Sequence, residues 1–99
     1  MIAVLASFRL PPAAQARART LIPGVIAATR AEDGCQLYDM GEDVLEPGLF
    51  RVSELWQSSE HLAAHMAAPH MALWGEQRAA MGMTERRFRI FQIAAEITA

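Results

Sequence analysis

The residues best suited to chemistry are three histidines in the second half of the chain. His61 and His65 are four residues apart, so they share one face of a helix, and His70 follows Pro69. An imidazole titrates near neutral pH, so it suits the role of base for a phenolic proton. His65 and His70 are therefore the candidate catalytic residues, and His61 is a weaker candidate. The open alternatives are a metal site formed by all three and a structural role at the helix break before Pro69.

Aromatic side chains near these histidines could form the walls of a binding pocket. Trp56 and Trp74 combine a large apolar ring with one hydrogen-bond donor, and Tyr38 is the only tyrosine in the chain. All three could equally be packing residues, Trp56 and Trp74 in the core and Tyr38 on the surface of a strand. We take them as candidate substrate-binding residues.

Three further side chains complete the predicted substrate site. Glu54 stands among apolar neighbours, which leaves two interpretations of its carboxylate. The preferred one is an ion pair with an arginine such as Arg51 or Arg89, and the other is a base whose pKa is raised. Arg89 could contact an oxyanion, or form an ion pair at an edge or a dimer interface. Met66 is a flexible side chain that fits the wall of a pocket or an interface.

Composition excludes several mechanisms. All nine basic residues among the 99 are arginine, and the chain has no lysine and no asparagine, so lysine Schiff bases, P-loop lysines and asparagine electrophiles are ruled out. The single cysteine, Cys35, excludes an intramolecular disulfide and offers no thiolate metal set. A net charge of -2 with interspersed charges argues against nucleic acid, and no apolar run is long enough to span a membrane. We expect one cytoplasmic domain over residues 1–99.

The order of predicted elements indicates how these residues are positioned. Alternating apolar residues predict a strand over 2–10. Helical spacing predicts a helix over 13–31 with a kink at Pro23, and its apolar face consists of Ala14, Ala18, Leu21, Val25 and Ala28. A hairpin follows with strands over 36–42 and 49–56. Ser58 is predicted to cap a helix that begins at Ser59, is interrupted before Pro69 and continues to residue 80. A last strand covers 86–97, where a slip in the apolar phase between Ile90 and Phe91 suggests a bulge or burial on both faces.

The resulting β-α-β-β-α-β order predicts an α+β fold of the ferredoxin-like type. Such a fold has an antiparallel sheet with the helices on one face. The outer face of the sheet would also be partly apolar, because Ala3 and Leu5 share it with Ser7 and Arg9. We therefore expect a homodimer with facing sheets, in a barrel-like arrangement.

The segment from Glu54 to Met71, ELWQSSEHLAAHMAAPHM, resembles the antibiotic biosynthesis monooxygenase family and especially its bacterial quinol monooxygenase branch. The matching motif is Glu-x-Trp, a serine cap, and then His-Leu-x-x-His-x-x-x-Pro-His-Met. A second similarity is the helix segment Ile22–Pro23 followed by Asp33-Gly34-Cys35 and Tyr38.

This resemblance implies a dimeric α+β barrel with a pocket between helices and sheet in each subunit. It also implies oxidation of quinols or polycyclic phenols by O2 with no metal, flavin or haem as cofactor. His65 would take the phenolic proton, and His70 or an arginine would stabilise the anion. A non-catalytic dimeric module that binds a small molecule, or a stress-response domain, is the main alternative.

Other branches of the family fit the sequence less well. Haem-degrading members of the family share an asparagine on the first strand. This chain has Ser7 at that place and contains no asparagine. An isomerase branch acts on a phosphorylated dione and would require a cationic pocket, for which the second helical region supplies only Arg78.

Overall fold

A four-stranded antiparallel sheet and three helices make up the chain, and the computed structural model describes all of residues 1–99. The elements are β1 (Ile2–Arg9), α1 (Pro12–Arg30), β2 (Cys35–Glu42), β3 (Leu49–Trp56), α2 (Ser59–Met66), α3 (Pro69–Ala80) and β4 (Thr84–Gln92). The strands lie in the order β2-β3-β1-β4. The predicted ferredoxin-like α+β fold is confirmed. None of the helices combines the length and apolar character needed to cross a bilayer.

One face of the sheet carries the core because side chains alternate along each strand. Val4 and Phe8 of β1 are buried against the helices, whereas Leu5 is 52% exposed on the opposite face. Phe8 stacks on Phe50 of β3 with ring centroids 5.4 Å apart and meets Trp74 of α3 edge-on at 6.2 Å. These contacts fix α3 above the centre of the sheet.

Helix α1 buries a face that differs in its second half from the predicted one. Ala14, Ala18 and Val25 are buried as predicted, but Ile22 and Thr29 take the core positions expected for Leu21 and Ala28; the full set is Ala14, Ala18, Ile22, Val25 and Thr29. Pro23 lies inside this helix. The difference matters for the site, because it turns the Thr29 hydroxyl inward.

The predicted cap and helix break are both confirmed. The Ser58 side chain accepts a hydrogen bond from the His61 backbone N–H at 3.3 Å and caps α2. Pro69 begins α3, where its lack of an N–H costs no helical hydrogen bond. The break places His65 in the last turn of α2 and His70 in the first turn of α3.

Strand β4 departs from the sequence-based expectation. The strand ends at Gln92. Its pairing with β1 is irregular between Ser7 and Arg9, and Glu85 in this region has a φ of 49°. The predicted bulge at Ile90 and Phe91 is wrong, because they pair in regular register with Val4 and Ala3 of β1. In the single chain these two residues are 55% and 38% exposed. The reason is topological: β4 is an edge strand, and the sequence pattern does not reveal which strand lies at an edge.

Candidate active site

The centre of the site is a hydrogen bond between His65 and Glu32. His65 is 1% exposed and packs 4.6 Å from the Trp56 ring and 5.6 Å from the Tyr38 ring, measured between centroids. Its Nδ1 lies 2.6 Å from Oε2 of Glu32, which follows the end of α1. A carboxylate oxygen accepts hydrogen bonds, so Nδ1 is the donor in this contact, and a neutral imidazole then carries its lone pair on Nε2.

Nε2 of His65 is buried and has no hydrogen-bond partner in the chain. The nearest acidic atom is Oε1 of Glu54 at 3.8 Å, beyond hydrogen-bond distance. Buried polar atoms are almost always paired, so an unpaired ring nitrogen indicates a group that is available to a ligand or a water. His65 is thus arranged as a base with its second nitrogen anchored.

His70 extends the cluster from α3. Its Nε2 lies 3.1 Å from Oγ1 of Thr29 and 3.4 Å from Oε2 of Glu32. Both histidines thus contact Glu32, and His70 also contacts Thr29, whereas a role in stabilising the helix break would require contacts with freed carbonyl groups.

A metal site of the three histidines does not form, because His61 lies elsewhere. Its Nδ1 is 2.7 Å from the Ser58 hydroxyl and its Nε2 is 3.3 Å from Asp33 Oδ2. The residues that could hold a divalent cation are Glu32, His65 and His70, whose ligand atoms all lie within 4.8 Å of one another. This is a two-histidine, one-carboxylate set.

Glu54 of β3 is a buried carboxyl group without an arginine partner. It is 4% exposed, and its Oε1 accepts a 2.8 Å hydrogen bond from Trp56 Nε1. The preferred interpretation, pairing with Arg51 or Arg89, is wrong: Arg51 contacts Asp43 at 3.3 Å, and Arg89 lies on the other face of the sheet. Burial raises the pKa of Glu54, against the opposing effects of the Trp56 hydrogen bond and the nearby His65.

Replacing Glu54 by glutamine should increase stability at neutral pH. Because the pKa of Glu54 is higher in the folded than in the unfolded chain, the free energy of unfolding falls as the pH rises from about 4.3 through the raised value. Glu54→Gln keeps the acceptor for Trp56 and removes this loss, which amounts to about 1.4 kcal/mol per pKa unit of the rise. Urea denaturation of both proteins from pH 4 to pH 8 measures the difference. A difference that is constant with pH would contradict the assignment.

A small cavity lies between the sheet and helices α2 and α3. Its volume is about 40 Å³, room for about one water molecule. The lining residues come from all four strands and both helices: Ala6, Ser7, Phe8, Tyr38, Val52, Glu54, His65, Met66, Met71, Trp74, Arg78, Arg86, Arg87 and Phe88. Burial strongly raises the pKa of Tyr38, which keeps its hydroxyl protonated at neutral pH.

The structure brings most of the predicted site residues together. Five of them line the cavity: Tyr38, Glu54, His65, Met66 and Trp74. Trp56 is fully buried beside them and holds Glu54, and His70 joins the cluster through Glu32. Arg89 is separate, because it pairs with Leu5 on the outer face of the sheet, where its guanidinium lies 5.1 Å from the Phe91 ring centroid.

Sequence reasoning did not find Glu32 and Thr29, and it gave Arg78 no part in the site. Glu32 stands before a turn with no distinguishing periodicity, and it lies 33 residues from His65. Thr29 lies 41 residues from His70. The only available signal was the set of α1 residues that face the core. The prediction placed Ala28 on that face, whereas the structure places Thr29 there.

The fold and site together describe a small α+β protein with a buried histidine–glutamate pair beside a cavity. The sequence profile of the antibiotic biosynthesis monooxygenase family matches residues 1–77. The chain belongs to this family.

Individual relatives agree with this placement. Over 69 residues the chain is 38% identical to Rv0793 of Mycobacterium tuberculosis, a protein named provisionally as a monooxygenase; the match covers 70% of this chain and 67% of that protein. The solved structure of Rv0793 superposes with a TM-score of 0.86 at 29% identity, covering 98% of each chain. A structure from Deinococcus radiodurans, described provisionally as an antibiotic biosynthesis monooxygenase, has a TM-score of 0.94 at 25% identity and covers 100% of this chain and 98% of its own.

Proposed function

We propose that this protein is a cofactor-independent monooxygenase or oxidase that acts on a quinol or a polycyclic phenol with O2. The observation that carries the proposal is the unpaired, buried Nε2 of His65, whose ring is anchored by Glu32 at 2.6 Å. A base held in this way needs no reorientation to take a proton from a phenol in the adjoining cavity.

The proposed chemistry begins with transfer of the phenolic proton to His65 Nε2. The phenolate is electron-rich enough to pass electrons to O2 one at a time. With a simple hydroquinone, two electrons and two protons pass to O2, and the products are the quinone and H2O2. With an activated ring CH2 group, one oxygen atom forms the new carbonyl and the other leaves as water. The protonated Tyr38 hydroxyl can donate a hydrogen bond to a developing oxyanion.

Binding of an aromatic substrate requires the cavity to widen. Sites for drug-sized ligands measure about 300–1,000 Å³, far above the 40 Å³ observed. The cavity wall contains the side chains that can move: Met66 is 46% exposed, and Arg86 and Arg87 are exposed on β4. Methionine adapts its three rotatable bonds at little cost, so we propose that Met66 moves aside when the ring enters.

Oxygen uptake tests the proposal. The protein is treated with a chelator, its metal content is measured, and it is mixed with a panel of hydroquinones and anthrones in an oxygen electrode. We expect O2 consumption well above the autoxidation of at least one substrate. Consumption no faster than autoxidation across the panel would remove the enzymatic claim, and ligand binding without turnover would favour the non-catalytic binding module.

A metal-dependent oxygenase is the second candidate, favoured by one observation. Glu32, His65 and His70 form the ligand set that non-haem Fe(II) oxygenases use. The same experiment separates the two functions. Activity that is absent from the chelated protein and returns with stoichiometric Fe(II) would establish the metal-dependent mechanism and overturn the cofactor-independent one.

We also propose that the active protein is a homodimer formed through the outer face of the sheet. Leu5 is 52% exposed there, and Phe91 lies across from Ala3 on the same face. Leu5→Glu should place a charge in the interface and shift sedimentation equilibrium from dimer to monomer. A wild-type protein that sediments as a monomer at micromolar concentration would contradict the dimer.

A further inference from the structure

Arg78 of α3 is a partly buried cation without an ionic partner. Its Nε is buried and has no hydrogen-bond partner, and no carboxylate of the chain lies within ion-pair distance of its guanidinium. The guanidinium carbon lies 5.3 Å from the centroids of both the Phe8 and the Trp74 ring. Contact with two aromatic rings holds the planar group in one orientation while leaving its hydrogen-bond donors free.

The surroundings of Arg78 do not compensate its charge. Burial lowers the pKa of Arg78, and the positive charge of Arg86 lowers it further, whereas Tyr38 acts in the opposite direction. A partly buried cation that also faces a second cation is stabilised when an anion joins it. The chain itself supplies no such anion.

The arginines at the cavity contrast with most of the others. Away from it, four arginines form ion pairs with acidic side chains: Arg9, Arg19, Arg30 and Arg51. Arg78 and Arg86, which line the cavity, have no such pair; Arg87 borders the cavity but pairs with Ser7 on the outer face of the sheet. Arg78 and Arg86 are therefore unpaired cations at the cavity, whereas the other arginines without an ion pair, Arg17, Arg87 and Arg89, lie on α1 and on the outer face of the sheet.

The cavity has an acid–base side and a cationic side. Glu54 lies on β3 and Tyr38 on β2, whereas Arg86 lies on β4, and β1 separates β3 from β4. Neighbouring strands are about 4.8 Å apart, so β3 and β4 are about 9.6 Å apart. Ala6 of β1 pairs with Val52 and with Phe88, and its small side chain leaves space between the two sides. One aromatic ring with a substituent can bridge that distance.

We propose that the cavity contains an anion subsite formed by Arg78 with Arg86, and that the substrate of the oxidation proposed above is a phenol that carries a carboxylate. The ring would lie over Ala6, with its hydroxyl towards His65 and its carboxylate on the Arg78 guanidinium. A planar, forked donor matches a carboxylate in a bidentate geometry, which gives both affinity and orientation. This substrate class rests on the proposed function, whereas the subsite itself does not.

The test compares ligands that share the hydroquinone ring and differ in whether they carry a carboxylate. Titration of the metal-free protein under nitrogen, followed by Trp fluorescence and calorimetry, uses 2,5-dihydroxybenzoate, its methyl ester and unsubstituted hydroquinone. A charge-assisted hydrogen bond is worth about 1.5–3 kcal/mol, so we expect the acid to bind about 10- to 100-fold more tightly than the ester. Arg78→Gln should reduce this ratio to about twofold or less, and Arg78→Lys should retain part of it.

Arg17→Gln is the matched control, because Arg17 is an exposed arginine of α1 without an ion pair and outside the cavity. It should keep the wild-type ratio. The proposal is overturned if the wild type binds acid and ester equally, or if Arg78→Gln keeps the preference. The wild-type comparison remains valid even if the Arg78→Gln protein fails to fold. Tight, Arg78-dependent binding without O2 consumption would refute the oxidase while leaving the anion subsite in place.

Discussion

Replacing His65 with asparagine should lower kcat/KM for a phenolic substrate by about 10²- to 10⁴-fold, the contribution of a general base. The asparagine amide can still donate a hydrogen bond to Glu32 in place of Nδ1, but it has no basic nitrogen in place of Nε2. Binding of a non-oxidised analogue should change little, because Tyr38, Trp74 and the arginines of the cavity remain. Initial rates of O2 uptake with the chelated protein measure the effect.

His61→Asn is the matched control for this substitution. His61 lies on the same helix, four residues earlier, and contacts Ser58 and Asp33 outside the cavity. Its replacement should leave kcat/KM within about threefold of the wild type. If both variants lose activity equally while both keep a folded circular-dichroism spectrum, His65 has no special role as the base.

Glu32→Gln should lower kcat by about 10²-fold while leaving KM nearly unchanged. Glu32 does not line the cavity; in the proposed mechanism it would fix the Nδ1 proton of His65 and stabilise the imidazolium that forms when Nε2 is protonated. An interaction that strengthens only as charge develops appears in kcat and not in substrate binding. Steady-state kinetics with the chelated protein separate the two parameters.

Asp33→Asn is the control for Glu32→Gln, since Asp33 is the adjacent carboxylate and contacts His61 instead of His65. It should behave as the wild type. If Glu32→Gln raises KM with kcat unchanged, Glu32 serves binding and the histidine–glutamate pair is not the activated base. If the chelated wild type regains activity with added Fe(II) and Glu32→Gln neither binds Fe(II) nor regains activity, the metal-dependent oxygenase is supported instead.

The parts of the molecule that follow from local signals were predictable from the sequence. Strand β3 has the predicted bounds because its apolar alternation is regular and a turn and a cap enclose it. The Ser58 cap and the break at Pro69 follow from the chemistry of those residues alone. The histidine block was therefore placed correctly on two consecutive helices, and His65 was found as the leading candidate.

The parts that depend on contacts between distant segments were not predictable. The partner of His65 is Glu32, which helix α1 delivers from 33 residues away, and nothing in the local sequence of Glu32 marks it. Arg89 was a candidate for contact with an oxyanion, but the register of β4 against β1 places it on the outer face of the sheet, away from the cavity. Arg78 of α3 lines the cavity instead. Glu54 was expected to pair with an arginine because burial of a lone carboxyl is costly, but the Trp56 indole N–H takes that place.

The most direct test of the central claim is the absorption spectrum of a bound phenol in the absence of O2. Without O2 the proton transfer can be observed separately from the oxidation that follows. An anthrone or hydroquinone whose phenolate absorbs at longer wavelength than its phenol is mixed anaerobically with the chelated wild type and with His65→Asn. The account predicts the phenolate spectrum with the wild type and the phenol spectrum with His65→Asn at equal occupancy. Identical spectra for the two proteins would contradict the assignment of His65 as the base.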